Sequence, residues 1–360
     1  MLLLIAGAAA AVVVVVIAIV AALAMRNDGG TPPTAGGSSP TQSAATTPTA
    51  DQNALPQAAA PLPDSQLLIP LDAGNGKGVD LYRADAQSGA RTLIGGGPGI
   101  QTTPALSPDR RTMIYSVAED PGGHNGLWVA GVDMSGARPL FKTTPPECAE
   151  ASSRPGWSPT SAGTLAIGCK KTATAPWMLY LISTDGKVLR TLDTAKQIGD
   201  PGFSPDGTTV VYWANKTGQG IFLATVDGSQ PPRQVSAGLD ADPAFAPSGG
   251  GLLAFRRLFT VRSSVVVVMN VNGTAIPCAG TPIPARPNVP NVTVCQLTDP
   301  SVASQDPSWS PDSTQIAYKT GPVITGDSEI KIIRADGGAK PRAAWVPNPG
   351  PQQAPAWTAR

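Results

Sequence analysis

The chain of 360 residues contains a single histidine, His124. That scarcity removes most imidazole chemistry, since a Ser-His-Asp triad would have to recruit this one residue. His124 sits in Gly122-Gly-His-Asn-Gly126, which reads as an exposed loop between strands. There is no Gly-x-Ser-x-Gly elbow and no alternation of strand and helix signals, so no α/β-hydrolase domain is expected. Gly95-Gly-Gly97 and Gly249-Gly-Gly251 lack the Lys-Ser/Thr that follows a phosphate-binding loop and read as turns. The four cysteines form no Cys-x-x-Cys, which together with the lone histidine argues against a metal site. Charge is sparse: 14% of residues carry it, the net is +1, and no basic stripe interleaves with aromatics. Nucleic acid is therefore an unlikely partner class. The basic pairs Arg110-Arg111, Lys170-Lys171 and Arg256-Arg257 read as solvated strand edges. These absences predict a non-catalytic protein without a cofactor.

What is present is a repeat. The phrase reads Pro104-Ala-Leu-Ser-Pro-Asp109, Pro155-Gly-Trp-Ser-Pro-Thr160, Pro201-Gly-Phe-Ser-Pro-Asp206, Pro243-Ala-Phe-Ala-Pro-Ser248, Pro307-Ser-Trp-Ser-Pro-Asp312 and Pro355-Ala-Trp-Thr358. Its leading prolines are 51, 46, 42, 64 and 48 residues apart. Periods of about 40–50 residues mark propellers and solenoids.

Each phrase opens the same unit. A short apolar run follows, such as Thr209-Val-Val-Tyr-Trp213 or Gln315-Ile-Ala-Tyr318. A second run ends in a tight-turn dipeptide, as in Ile221-Phe-Leu-Ala-Thr-Val-Asp227-Gly228 and Val265-Val-Val-Val-Met-Asn-Val-Asn272-Gly273. Asp-Gly and Asn-Gly suit two-residue hairpins, because both central positions need positive φ. A last short segment, such as Val188-Leu-Arg-Thr-Leu192, completes four antiparallel strands, which is one blade. No stretch after residue 66 carries sustained helical periodicity.

The ends supply the count. Residues 66–95 hold three strand signals and no opening phrase, while Pro355-Ala-Trp357 is a phrase with no strands after it. Together they make one blade. The expected fold is an all-β, six-bladed β-propeller over 66–360, closed by a C-terminal inner strand. Closure removes free sheet edges. Trp157, Phe203, Phe245, Trp309 and Trp357 occupy equivalent places and should pack between neighbouring blades. Asp206 and Asp312 should hydrogen-bond their own turns.

At this point the chain resembles the six-bladed TolB-like propellers of bacterial envelopes, whose blades open on Asp-Pro-x-Trp-Ser-Pro-Asp-Gly. Asp200-Pro-Gly-Phe-Ser-Pro-Asp-Gly207 and Asp306-Pro-Ser-Trp-Ser-Pro-Asp312 match closely, and Asp242-Pro243 matches with Ala246 and Ser248 substituted. Thr103, Arg154 and Ala354 depart from the leading Asp. The resemblance covers residues 66–360 and speaks for the fold, since propellers host many functions.

Residues 1–26 hold the one long apolar run, Leu2 to Ala24. As a helix it would span about 35 Å, enough for a hydrocarbon core of about 30 Å. It is read as a single membrane anchor; the alternative is a signal peptide cleaved after Ala22-Leu-Ala24. Arg26 alone sets no orientation, being one charge beside Asp28. A run that begins at residue 2 also suggests a cytoplasmic part lost to a late start codon. Residues 27–65 are rich in Pro, Thr, Ala, Ser and Gly without aromatics, and read as a disordered spacer with a reach of roughly 35 Å.

An anchor and a stalk place the propeller outside the cytoplasm, where disulfides persist. Cys278–Cys295 would tie off the insertion Ala279–Val294, and Cys148–Cys169 would staple the third blade's entry loop to its second strand. The insertion reads as a dispensable surface loop suited to recognition. Asp200, Asp242 and Asp306 open the inner strands of three consecutive blades, near one mouth of the central channel. Faced by Arg154, they form an acidic arc that could hold a cation or a basic peptide.

The expected function is a membrane-tethered extracytoplasmic module that binds a protein, peptide or envelope polymer. Two alternatives stay open. One is the sensor half of a receptor-like Ser/Thr kinase; the other is a metal-dependent propeller hydrolase or lyase using the acidic mouth.

Overall fold

In four of the six blades the inner strand carries a proline near its centre. Proline donates no ladder hydrogen bond, so a strand tolerates it at an edge or a bulge. The chain uses a bulge. In four blades the inner strand advances three residues while its neighbour advances two: Thr102 to Ala105, Gly199 to Gly202, Ala241 to Ala244 and Gln305 to Ser308. The residue just before the proline adopts positive φ, at 49° for Thr103, 47° for Asp200, 53° for Asp242 and 56° for Asp306. Asp bears that conformation better than most residues.

The computed structural model describes residues 54–73, 78–96, 99–152, 154–260, 263–285, 293–321, 328–338, 340–343 and 354–359. The expected transmembrane helix and most of the expected spacer lie outside them. Among the described residues there is no α-helix, and none that could cross a membrane.

Six antiparallel sheets follow one another along the chain. Blade 1 has Gln66–Asp72, Val79–Asp85 and Arg91–Gly95. Its innermost position is taken by the C terminus, where Ala356 and Leu68 exchange both backbone hydrogen bonds at 2.8 and 2.9 Å. Ala359 also bridges Leu106, on the inner strand of blade 2. The inner strands of blades 2, 4, 5 and 6 are Ile100–Leu106, Gln197–Phe203, Asp240–Phe245 and Ser304–Trp309. That of blade 3 is broken into Glu150–Ala151 and Gly156–Trp157, with Arg154 between them.

Six hydrophobic clusters each join two neighbouring blades, and the repeat aromatics sit inside them. Trp157 packs on Ala105 and Ile114 of blade 2, Phe203 on Ala166 and Leu179 of blade 3, and Phe245 on Val211 and Ile221 of blade 4. Trp309 meets Ala244 and Ala254 of blade 5, and Trp357 joins Leu67 of blade 1 to Ala317 of blade 6. The indole N–H of Trp157 reaches the Ala105 carbonyl at 3.1 Å, and that of Trp309 reaches Ala244 at 2.9 Å. The turn carboxylates behave as expected. Asp206 accepts the Thr208 N–H at 3.0 Å, and Asp312 accepts that of Thr314 at 3.0 Å.

Both disulfides are formed, Cys148–Cys169 and Cys278–Cys295.

The insertion in blade 5 differs from the expected dispensable loop. The fourth strand of that blade is Thr293–Gln296, which pairs Val294 with Met269 and buries Val294 and Cys295. Thr281–Pro284 then adds a fifth, outermost strand. The Ala279 and Gly280 N–H groups also hold the Asp336 carbonyl of blade 6, at 2.7 and 3.1 Å. Part of Ala279–Val294 is therefore blade, not appendage.

The residues just before 66 are also not a free spacer. Leu62 and Ala58 are buried, and their N–H groups donate to the Arg110 and Arg111 carbonyls at 2.8 and 3.0 Å. The unit that carries the propeller runs from Asp51 to Arg360.

The basic pairs are not all solvated edges either. The side chain of Arg110 is mostly buried and donates to the carbonyls of Leu62 (2.9 Å), Pro63 (2.8 Å), Gln66 (3.0 Å) and Trp357. It thus ties the incoming chain and the outgoing chain to blade 2. Arg257 is buried against Asp240, with Nη2 2.9 Å from Oδ2. A buried guanidinium needs such partners, because an unpaired buried charge is costly.

Candidate functional site

The bulge that accommodates each proline also re-aims the residue before it. That residue meets the second strand thirteen or fourteen positions later, at the partner set by the ladder just before the bulge. Thr103 meets Ser116, hydroxyl to hydroxyl at 3.1 Å. Asp200 accepts the Trp213 indole N–H at 2.9 Å. Asp242 faces Arg256, with Oδ2 3.0 Å from Nε. In blade 6 the ladder places Lys319 opposite Gln305, beside Asp306. The four expected residues, Arg154, Asp200, Asp242 and Asp306, therefore acquire Trp213, Arg256, Lys319 and Gln305 as neighbours. Sequence reasoning missed these four, although the fixed offset from each opening phrase would have found them.

The expected residues are brought together. Asp242 Oδ2 also accepts the Asp306 backbone N–H at 3.2 Å, so adjacent blades share one carboxylate. Arg256 Nη1 donates to Gln305 Oε1 at 2.9 Å. Arg154 is in blade 3 and Asp306 in blade 6, opposite each other in a ring of six. Their charged groups are 3.5 Å apart, Nη1 to Oδ1. Arg154 therefore lies across the channel like a bolt. It is 1% exposed, and its guanidinium makes no hydrogen bond among the described residues.

Burial pushes the Asp242 carboxyl up to about 6, and the nearby Asp306 and Asp200 charges add to that push against the opposing pull of Arg256. Burial works against the Arg256 charge, but Asp242 first and then Asp306, Asp200 and Asp240 hold its pKa above the ordinary value. The two arginines do not use up the acidic arc evenly. Asp242 is paired with Arg256, and Asp306 with Arg154 at longer range. Asp200 has its indole donor and makes no ion pair at contact distance among the described residues, the Arg256 charge reaching it only at longer range. Among those residues no group of three or more His, Cys, Asp or Glu is arranged to hold a metal ion.

The opposite end of the axis is chemically different. A cavity of 280 Å³ there is lined by Pro108, Pro159, Pro205, Pro247 and Pro311, one repeat proline from each of blades 2 to 6. The acidic arc itself lies at mid-strand, at the proline bulges, and not at the strand starts as expected, because the bulge and not the strand end fixes where the residue before the proline points.

His124 is exposed, as expected, but it is not idle. Its ring Nδ1 lies 3.2 Å from the buried Asp120 carboxylate, at the edge of a cavity between blades 2 and 3.

No protein-family profile matches the chain, and no curated protein matches it by sequence. Solved structures match it by shape. TolB from Acinetobacter baumannii superposes with a TM-score of 0.61 at 15% identity, over 82% of this chain and 67% of that one. A putative TolB from Agrobacterium tumefaciens gives 0.56 at 16% identity, over 78% and 88%. Hydrazine synthase from Kuenenia stuttgartiensis gives 0.60 at 13% identity, over 84% of this chain and 48% of that chain. At such identities the likeness is one of fold, and that fold occurs in both a TolB and a hydrazine synthase. With its six blades, its terminal strand closure and these likenesses, the chain is a six-bladed β-propeller of the TolB-like fold.

Proposed function

We propose that this chain is an extracytoplasmic binding module without catalytic activity. Its channel mouth receives a basic group, such as a lysine or arginine side chain, from a protein, peptide or other envelope ligand. The observation that carries the reading is the state of Asp200. Its carboxylate is oriented by Trp213 and makes no ion pair at contact distance among the described residues, while Asp306 is only loosely engaged by Arg154. Two part-exposed carboxylates held by the fold are ready acceptors for a charge-assisted hydrogen bond. Two disulfides favour an oxidising compartment. The TolB-like fold is compatible with a binding module, and the anchor expected at residues 1–26 would tether it to the membrane.

The test is affinity capture from crosslinked native envelopes. The wild-type chain is compared with the Asp200→Asn, Asp306→Asn double variant, which keeps both side-chain shapes. The reading predicts a partner retained by the wild type and lost by the variant. Equal capture by both, or no specific capture by either, would overturn it.

A further inference from the structure

The cavity beside His124 has a volume of 420 Å³, within the range of about 300–1,000 Å³ common to small-molecule sites. It opens between blades 2 and 3, and its lining is unlike the channel mouth. No carboxylate lines it, and Lys142 is its only fixed charge among the described residues. The remaining polar lining groups are the His124 imidazole and uncharged side chains, Asn125, Thr144 and Ser152 among them. Leu127 and Phe141 supply an apolar wall. This set does not suit a cation. It suits a molecule that is polar around its edge and apolar on its face.

His124 is held in one orientation. The buried Asp120 Oδ2 accepts the His124 backbone N–H at 2.8 Å and lies 3.2 Å from the ring Nδ1. A carboxylate only accepts, so Nδ1 carries a proton toward Asp120, and Nε2, on the far side of the ring, is the nitrogen left for a ligand. The Trp128 indole N–H fixes the loop further by donating to the His124 carbonyl at 2.8 Å. Asp120 is a positioning residue: it sets the orientation of His124 and turns Nδ1 away from the ligand. Ser152 accepts the Gly168 N–H at 3.1 Å, which leaves its hydroxyl hydrogen as a donor.

We propose that the cavity between blades 2 and 3 is a saccharide-binding site, with His124 Nε2 hydrogen-bonding a sugar hydroxyl and Phe141 meeting a sugar face. A pyranose ring presents hydroxyls at its edge and C–H groups on its faces, which is the complement of this lining. The site is separate from the channel-mouth reading and does not depend on it.

His124 is the only histidine, so the full chain without a tag gives one imidazole signal in NMR. The probes are N,N′-diacetylchitobiose and cellobiose, each titrated to about 10 mM, which covers weak millimolar binding. The proposal predicts a saturable shift of that signal with at least one of them. Asp120→Asn should weaken binding by about fivefold to tenfold, the effect of one hydrogen bond. Thr144→Val, at an exposed position, should weaken it without disturbing the fold. Asp200→Asn, Asp306→Asn should leave it unchanged. No shift with either sugar overturns the proposal. So does binding that survives both Asp120→Asn and Thr144→Val, or binding that is lost in the channel-mouth variant.

Discussion

Arg110 is the residue on which ring closure turns, and replacing it gives a quantitative test. In the phrase Ser-Pro-Asp-Gly the last position has positive φ: Gly207 sits at 71°, and Arg110 occupies the equivalent place at 57°. A side chain in that region costs roughly 1–2 kcal/mol relative to glycine. The chain nevertheless keeps arginine there. Its guanidinium donates to four carbonyls, from Leu62, Pro63, Gln66 and Trp357, so that both chain ends are pinned to blade 2. A hydrogen bond to a charged group contributes about 1.5–3 kcal/mol, though bonds from one side chain do not add fully. Arg110→Ala should therefore destabilise the domain by about 3–5 kcal/mol, because the strain stays and the clamp goes. Arg110→Gly should cost roughly 1 kcal/mol less, because it also relieves the backbone. At about 2 °C per kcal/mol for a domain of this size, the alanine variant should melt about 6–10 °C lower, with glycine in between. Differential scanning calorimetry on the 51–360 unit measures both. If both variants melt within about 1 °C of the parent, the clamp is not a closure device. If alanine equals or exceeds glycine, the backbone argument fails.

Other perturbations follow from the same geometry. Asp242 has a folded pKa of about 6, above its unfolded value of about 3.9. The folded state therefore holds the extra proton between these values, so stability should fall as pH rises from about 4 to 6; a melting series in which Asp242→Asn fails to flatten this slope would contradict the assignment. Deleting 352–360 removes the inner position of blade 1 and Trp357, whose loss alone is worth about 3–5 kcal/mol; a truncated domain that melts cooperatively near the intact temperature would show that closure lies elsewhere. In blade 5, a short Gly-Ser bridge between Pro284 and Thr293 should leave melting unchanged. Removing Thr293–Gln296 should abolish cooperative melting, and circular dichroism separates the two outcomes.

The parts of the fold that were legible in the sequence are those fixed by local chemistry. The opening phrase announces itself because each element acts within a few residues. Ser204 Oγ accepts the Thr209 N–H at 3.0 Å, Asp206 caps the turn, and the aromatic at the phrase centre faces the previous blade. Blade number and terminal closure follow by counting. The acidic arc was legible for the same reason, since the residue before each proline is marked by its position. Its cationic partners were not. Arg256 looks like half of an exposed basic pair until strand register places it beside Asp242. Arg110 is separated by 247 residues from Trp357, one of its partners, and no local pattern spans that distance. The segment before residue 66 was misread because proline and alanine dominate it. Its two leucines, Leu55 and Leu62, were the available signal, and residues 27–53 contain none. The insertion in blade 5 hid the fourth strand, because a four-residue run behind a long proline-rich stretch carries too few positions to show alternation.

The central claim is that ligands engage the channel at the acidic arc of Asp200 and Asp306. Site-specific photo-crosslinking in the native envelope tests it most directly. A photoreactive residue replaces Lys319 beside the acidic arc, and a second variant carries it at Leu189, which is half exposed on the outer edge of blade 3. The account predicts a discrete adduct from position 319 that disappears when Asp200→Asn and Asp306→Asn are added, and no discrete adduct from position 189. An adduct from position 189 alone, or one from position 319 that persists without the two carboxylates, would contradict it.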